Sequence, residues 1–147
     1  TLNGLTVTGG SGSNQGGGIY NGGTLTITNS KVSSNSATGS SFSIGGGILN
    51  GGTLTIANSA VSGNSATGIN GYGGGIFNRG IANLMNTTVS GNSAALGGGI
   101  LTDRIALNLT NSTISGNSAH AGGGIYSGSS GGGLVNLTNT TVSGNSA

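Results

Sequence analysis

Apolar and polar positions recur along this chain in three kinds of short run. The first is an isoleucine followed by a second apolar residue, as in Ile48-Leu49, and the second alternates aliphatic with small polar residues, as in Leu25-Thr26-Ile27. The third is one aliphatic residue between small polar ones, as around Val61. Alternation with a period of two is typical of a strand that buries one face. No stretch has a helical period, so the pattern predicts short β-strands and no helix.

The three runs belong to one unit that is repeated along the chain. Gly-Gly-Gly-Ile begins at residues 16, 45, 73, 97 and 122, which gives repeats of 24 to 29 residues. A self-similar period in this range indicates a stacked repeat architecture. We therefore expect an all-β solenoid of five to six three-sided coils, each strand pairing in parallel with its equivalent one coil later. Residues 1–147 are interpreted as a single segment, with a partial first coil over residues 1–15.

Stacked units place equivalent aliphatic side chains above one another inside the coil. Burying each side chain contributes about 1.5–3 kcal/mol, whereas ordering each residue costs about 1–2 kcal/mol of backbone entropy. A single coil is therefore not stable alone, and we expect the stability to come from stacking. The predicted inward rows are Ile19, Ile48, Ile76, Ile100, Ile125; Ile27, Ile56, Leu84, Leu109, Leu137; and Val32, Val61, Val89, Ile114, Val142.

Asparagines recur at two fixed places in the unit. The first set follows the second run, where the chain must bend, and asparagine tolerates the left-handed backbone conformation better than most residues. Stacked asparagine amides can also hydrogen-bond from coil to coil, so we predict two asparagine ladders. They are Asn29, Asn58, Asn86, Asn111, Asn139, and Asn35, Asn64, Asn92, Asn117, Asn145.

The segments between units differ in length, which predicts that they lie outside the repeating frame. Insertions at residues 38–44 and 67–72 are expected to bulge outward from one side of the rod. Neither end of the array carries a distinct polar cap, although a solenoid needs its terminal faces covered. We therefore expect a longer molecule, or one that joins end to end with copies of itself.

Composition excludes several classes of function. Three basic residues and one acid give a net charge of +2, so the clustered Lys and Arg that nucleic-acid binding requires are missing. No apolar run is long enough to span a membrane. The chain has no cysteine, which excludes disulfides and thiolate metal sites. We expect no cofactor, no nucleic-acid partner and no direct membrane insertion.

Two motifs in register carry a resemblance to a known family. Gly-Gly-Gly-Ile starts each unit, and an aliphatic-x-x-Asn motif closes it, as in Val61-Ser62-Gly63-Asn64. These motifs resemble the Gly-Gly-Ala-aliphatic and Phe-x-x-Asn repeats of polymorphic outer-membrane proteins and related adhesin-like passenger domains. Those proteins belong to the right-handed parallel β-helices of the pectate-lyase-like superfamily. The resemblance implies a right-handed β-helix, secreted or displayed at the cell surface, that acts in adhesion or as structure.

Catalysis finds little support in the residues present. Glycoside hydrolysis needs two carboxylates, and Asp103 is the single acid of the chain. A calcium-dependent lyase needs several oxygen ligands that usually include carboxylates, and His120 stands alone in a variable segment. We expect no enzyme activity. Asp103 falls one coil after the equivalent Arg79, which predicts an ion pair between coils.

The apolar residue after each motif isoleucine has two interpretations. Pointing opposite to the buried isoleucine, these residues would form an outward stripe for a protein partner or a glycan. Alternatively, residues from the preceding variable segments fold across and cover the stripe. The stripe is Tyr20, Leu49, Phe77, Leu101, Tyr126, and the covering residues would be Phe42, Ile44, Ile69, Tyr72, Leu96.

Threonine rows add a further hypothesis. Thr26, Thr28 and Thr55 on one wall, with Thr88, Thr113 and Thr141 on the next, resemble a flat hydroxyl array for ice binding, but other residues interrupt both rows. The leading expectation is a non-enzymatic, extracellular structural or adhesive solenoid that stacks into a fibre or forms part of a surface adhesin. Its expected partners are itself, or host or surface glycans and proteins. A carbohydrate-binding rod is the alternative, with ice binding and a remnant polysaccharide lyase less favoured.

Overall fold

The computed structural model describes residues 1–128 and 132–147, and in this part of the chain strands alternate with turns and there is no helix. Every strand pair is parallel, and each strand pairs with its equivalent in the neighbouring coil. The described residues therefore form a parallel β-solenoid of about five turns. The predicted fold class, an all-β solenoid, is confirmed.

The three predicted runs form three long sheets. The first sheet contains the strands Ile19–Asn21, Ile48–Asn50, Ile76–Asn78, Ile100–Thr102 and Ile125–Ser127. The second sheet contains the strands Leu2–Asn3, Thr24–Thr28, Thr53–Ala57, Ile81–Met85, Ala106–Thr110 and Leu134–Thr138. The third sheet contains the strands Thr6–Thr8, Lys31–Ser33, Ala60–Ser62, Thr88–Ser90, Thr113–Ser115 and Thr141–Ser143.

Short strands also form in the segments between the units. Ser11–Ser13, Ser36–Thr38 and Ser65–Thr67 make one small sheet, and Phe42–Ile44 pairs with Asn70–Tyr72 in another. The insertions at residues 38–44 and 67–72 thus differ from the expected bulges, because the end of each continues the strand pairing between coils. The physical reason is that the two insertions are neighbours in the stack and can satisfy each other's backbone groups.

The core consists of the predicted rows of aliphatic side chains. Ile48, Ile76 and Ile100 occupy paired positions of the first sheet, and all three are fully buried. Ile56 and Leu84 stack in the same way in the second sheet, as Val61 and Val89 do in the third. A further inward row, Leu25, Leu54, Ala82, Leu107 and Val135, packs against them. This stacking of like on like continues the core from coil to coil along the rod.

The three glycines before each isoleucine are required by close packing. In the second coil Gly45 has φ of +67°, a conformation that glycine adopts without a steric penalty. A Cβ on Gly46 would meet the carbonyl oxygens of Ser65 and Gly74, and a Cβ on Gly47 would lie 2.9 Å from the side-chain amide carbon of Asn64. The motif therefore leaves room both for the next coil and for an asparagine of its own coil.

We predict that Ile76→Ala lowers the free energy of unfolding by about 2–5 kcal/mol, since it opens a cavity in the stacked core. Ile69→Ala is the matched control, because Ile69 is 82% exposed and its truncation should change stability by less than about 0.5 kcal/mol. Urea unfolding followed by circular dichroism measures both. Equal effects of the two substitutions would contradict the assigned core.

Candidate functional site

One of the two predicted asparagine ladders runs through the rod without interruption. The Nδ2 group of Asn64 donates to Oδ1 of Asn92 at 3.0 Å, and the same bond joins each successive pair from Asn35 to Asn145 at 2.9–3.0 Å. Asn64, Asn92 and Asn117 are almost completely buried. This row forms a coil-to-coil ladder inside the structure.

Each internal amide of this ladder uses all of its hydrogen-bonding capacity. The Oδ1 of Asn64 accepts from the backbone N–H and the side chain of Asn35, while its Nδ2 donates to the carbonyl of Val32 and to Asn92. An amide has two donors and two acceptor sites, so nothing is left unpaired. The backbone partners also fix which atom of the amide is oxygen and which is nitrogen.

The other predicted row lies at a corner of the coil and is not a continuous ladder. Asn29, Asn58, Asn86, Asn111 and Asn139 all have φ near +50°, as expected for residues that make the bend. Their side chains are exposed. Among the described residues, hydrogen bonds between side-chain amides join Asn86 to Asn58 and Asn29 to Asn3, both at 3.1 Å. Because water competes for the exposed side-chain amides, these asparagines make the bend but do not form a continuous ladder.

A second buried ladder was missed by the sequence reasoning. Asn21 donates to Asn50 and Asn50 to Asn78, both at 2.7 Å, and Asn78 donates to the Thr102 hydroxyl at 3.2 Å. Asn50 and Asn78 are fully buried at the corner after the first sheet. The recurring Ile-x-Asn of the first three units was the available signal.

The predicted outward stripe is covered in its middle. Leu49, Phe77 and Leu101 are no more than 5% exposed, and they form a second core with Ile44. The half-buried Tyr72 and Leu96 pack against it. These three residues therefore do not form an open stripe for a partner, because the ends of the variable segments lie across them. Of the other expected covering residues, Phe42 and Ile69 remain exposed.

The two ends of the stripe differ from its middle. Tyr20 is 66% exposed and Tyr126 is half-buried. The covering position, which is Ile44, Tyr72 and Leu96 in the central coils, is Gln15 in the first coil and Ala121 in the last. Tyrosine thus stands where the cover is polar or small, while leucine or phenylalanine stands where it is apolar.

Arg79 and Asp103 meet between coils three and four. The Nε of Arg79 lies 3.6 Å from Oδ2 of Asp103, with the two side chains 48% and 18% exposed. The guanidinium carbon of Arg79 also lies 4.9 Å from the centroid of the Phe77 ring, within the range of a cation–π contact. The pair forms one edge of the second core.

The remaining candidate residues do not converge. His120 is exposed, and Thr26 pairs with Thr55 in a row that continues as Asn83. Within residues 1–128 and 132–147 there is no group of three or more His, Cys, Asp or Glu suited to hold a metal ion. The same residues include no helix long and apolar enough to cross a membrane.

In comparisons with family models, with curated proteins and with solved structures, no match to this chain was found. The relation to adhesin-like β-helices accordingly rests on the two sequence motifs.

We predict that Asn92→Ala lowers the free energy of unfolding by at least about 3 kcal/mol, because it leaves both the backbone and side-chain donors of Asn64 buried without their acceptor. Asn136→Ala is the control: Asn136 donates to Asn108 at 2.8 Å in an exposed row, so its loss should cost about 1 kcal/mol or less. Denaturant unfolding of both variants measures the difference. A cost for Asn92→Ala no larger than that of its control would show that the buried ladder is not stabilising.

We predict that Arg79→Ala destabilises the chain by about 1 kcal/mol or less, since an exposed ion pair contributes little. Most of that difference should disappear at about 1 M salt, where exposed charges are screened. Arg104→Ala removes an equal charge from an exposed neighbouring position and serves as the control. A loss of several kcal/mol that persists in high salt would refute an electrostatic role.

Proposed function

We propose that this chain is a non-enzymatic structural β-solenoid, a rigid rod segment that serves outside the cell or at its surface in adhesion or in a fibre. The observation that carries the proposal is that the buried asparagine side chains hydrogen-bond from one coil to the next. The amides of Asn35, Asn64, Asn92, Asn117 and Asn145 bond along the rod. They support the next coil and are not directed at a ligand.

The charge of the chain also favours a structural role. Its single carboxylate, Asp103, is engaged by Arg79. Reactions that use a pair of carboxylates, such as glycoside hydrolysis, have no second acid in this chain. The proposal of an adhesin-like passenger rests on the Gly-Gly-Gly-Ile and aliphatic-x-x-Asn motifs, and an extracellular location accompanies it.

The last coil supports extension of the rod at its end. Leu137 and Val142 are each 47% exposed, whereas Leu109 and Ile114, their equivalents one coil earlier, are no more than 1% exposed. Unpaired strand edges are a template for further pairing, and another coil would bury these side chains. We propose that in a fibre such a coil comes from a second copy.

Sedimentation velocity over a range of concentrations, with electron microscopy, tests the fibre version. We expect the mass of the wild-type chain to rise with concentration and Val142→Lys to stay monomeric, because a charge on the apolar end face opposes docking. Thr141→Lys places the same charge on the neighbouring residue of that strand and should assemble like the wild type. Monomers at every concentration would exclude the fibre version, and assembly of Val142→Lys would exclude end-to-end contact.

A further inference from the structure

A small cleft beside the second core extends from the third to the fifth coil. In the last coil Ala121 takes the covering position that Leu96 holds one coil earlier. Tyr126, which is paired with Leu101 in the first sheet, is half-buried beside this shorter cover. We call this opening, between Phe77, Arg79, Leu101, Asp103, Tyr126 and Gly128, the Tyr126 cleft, and Tyr72 and Leu96 complete its lining.

The size of the Tyr126 cleft matches a single ring. Its volume is about 180 Å³, and an apolar cavity of about 150 Å³ in another protein accepts one benzene molecule. One side is apolar, formed by Leu96, Leu101 and the Tyr126 ring. A six-membered ring therefore fits with one face against the tyrosine.

The lining of the cleft also includes the ion pair. Arg79 engages Oδ2 of Asp103, and Oδ1 is turned toward Gly128, where a Cβ would lie only 2.7 Å from it. Glycine at that position leaves room for the carboxylate. A hydrogen-bond acceptor on Asp103 and donors on Arg79 thus face the same small space.

Charge and hydrogen bonding together select the ligand. Asp103 repels an anion and Arg79 repels a cation, so the ion pair favours a neutral ligand. A purely aromatic ring would displace water from both charges and return no hydrogen bond, which is unfavourable. A hydroxyl group can donate to Asp103 and accept from Arg79 at the same time. The required ligand has an apolar face and a hydroxyl-bearing edge.

We infer that the Tyr126 cleft binds one neutral sugar ring, stacked on Tyr126 and held through a hydroxyl by Asp103 and Arg79. The site uses one stripe residue and not the whole stripe. It goes beyond the proposed structural role, since the rod forms whether or not the cleft is occupied.

Calorimetric titration of the full chain with a panel of neutral methyl glycosides tests the inference. We expect at least one glycoside to bind with a Kd on the order of 1 mM, as befits a small ligand, and the matching uronic acid to bind at least tenfold more weakly. A glycan array separates a free sugar from the terminal residue of a larger glycan, and binding in either form supports the site. Phenol is the comparison for an aromatic ligand.

Three variants make the test specific. Ala121→Leu restores the covering residue of the preceding coil and should abolish binding without lowering the melting temperature. Asp103→Asn should weaken binding at least tenfold. Tyr20→Leu alters the other tyrosine of the stripe, far from the ion pair, and should leave binding unchanged. Absence of binding to every glycoside at ten times the expected Kd and on the array, unaltered binding by Ala121→Leu, or binding of phenol in place of glycosides would overturn the inference.

Discussion

The fold depends on a contact between two small groups inside every coil: a glycine backbone and a buried asparagine amide. A Cβ on Gly47 would lie 2.9 Å from the side-chain amide carbon of Asn64, and the same relation recurs between Gly75 and Asn92. Without the glycine the amide could not reach its place in the ladder, and without the amide the backbone groups of adjacent coils would be buried unpaired. This explains why both motifs occur in each unit.

The apolar rows stabilise the solenoid, and the asparagine amides set how its coils are aligned. A slip by two positions would keep the aliphatic side chains on the inner face at a modest cost, since dispersion and burial are not directional. A ladder amide that slipped would lose several hydrogen bonds at once. Buried polar groups thus specify the register, whereas stacked Ile48, Ile76 and Ile100 supply most of the burial. Interactions reach mainly between adjacent coils, as in other solenoids.

The strands and the inward rows could be predicted because each depends on a period that is visible in the sequence. The burial of Leu49, Phe77 and Leu101 could not be predicted in this way. The residues that cover them, Ile44, Tyr72 and Leu96, lie in segments whose length varies between units. No periodic rule says where such a segment ends. The Asn21, Asn50 and Asn78 row escaped notice for another reason: the asparagine is replaced in the fourth and fifth units, so the repeat is incomplete. The small residue Ala121 at the covering position is likewise an exception to the repeat, since larger side chains occupy that position in the central coils.

The central ladder also has a direction. From Asn35 to Asn117 one N–H of each side chain donates to the oxygen of the following residue of the row. The other N–H donates to a backbone carbonyl of the preceding coil. Small amide dipoles thus align head to tail along the axis, as peptide dipoles do in a helix. The rod is therefore electrically polar, with a donor-bearing end and an acceptor-bearing end. Two such rods that meet at their tips are complementary when they point the same way, and inverting one of them would set donor against donor or acceptor against acceptor.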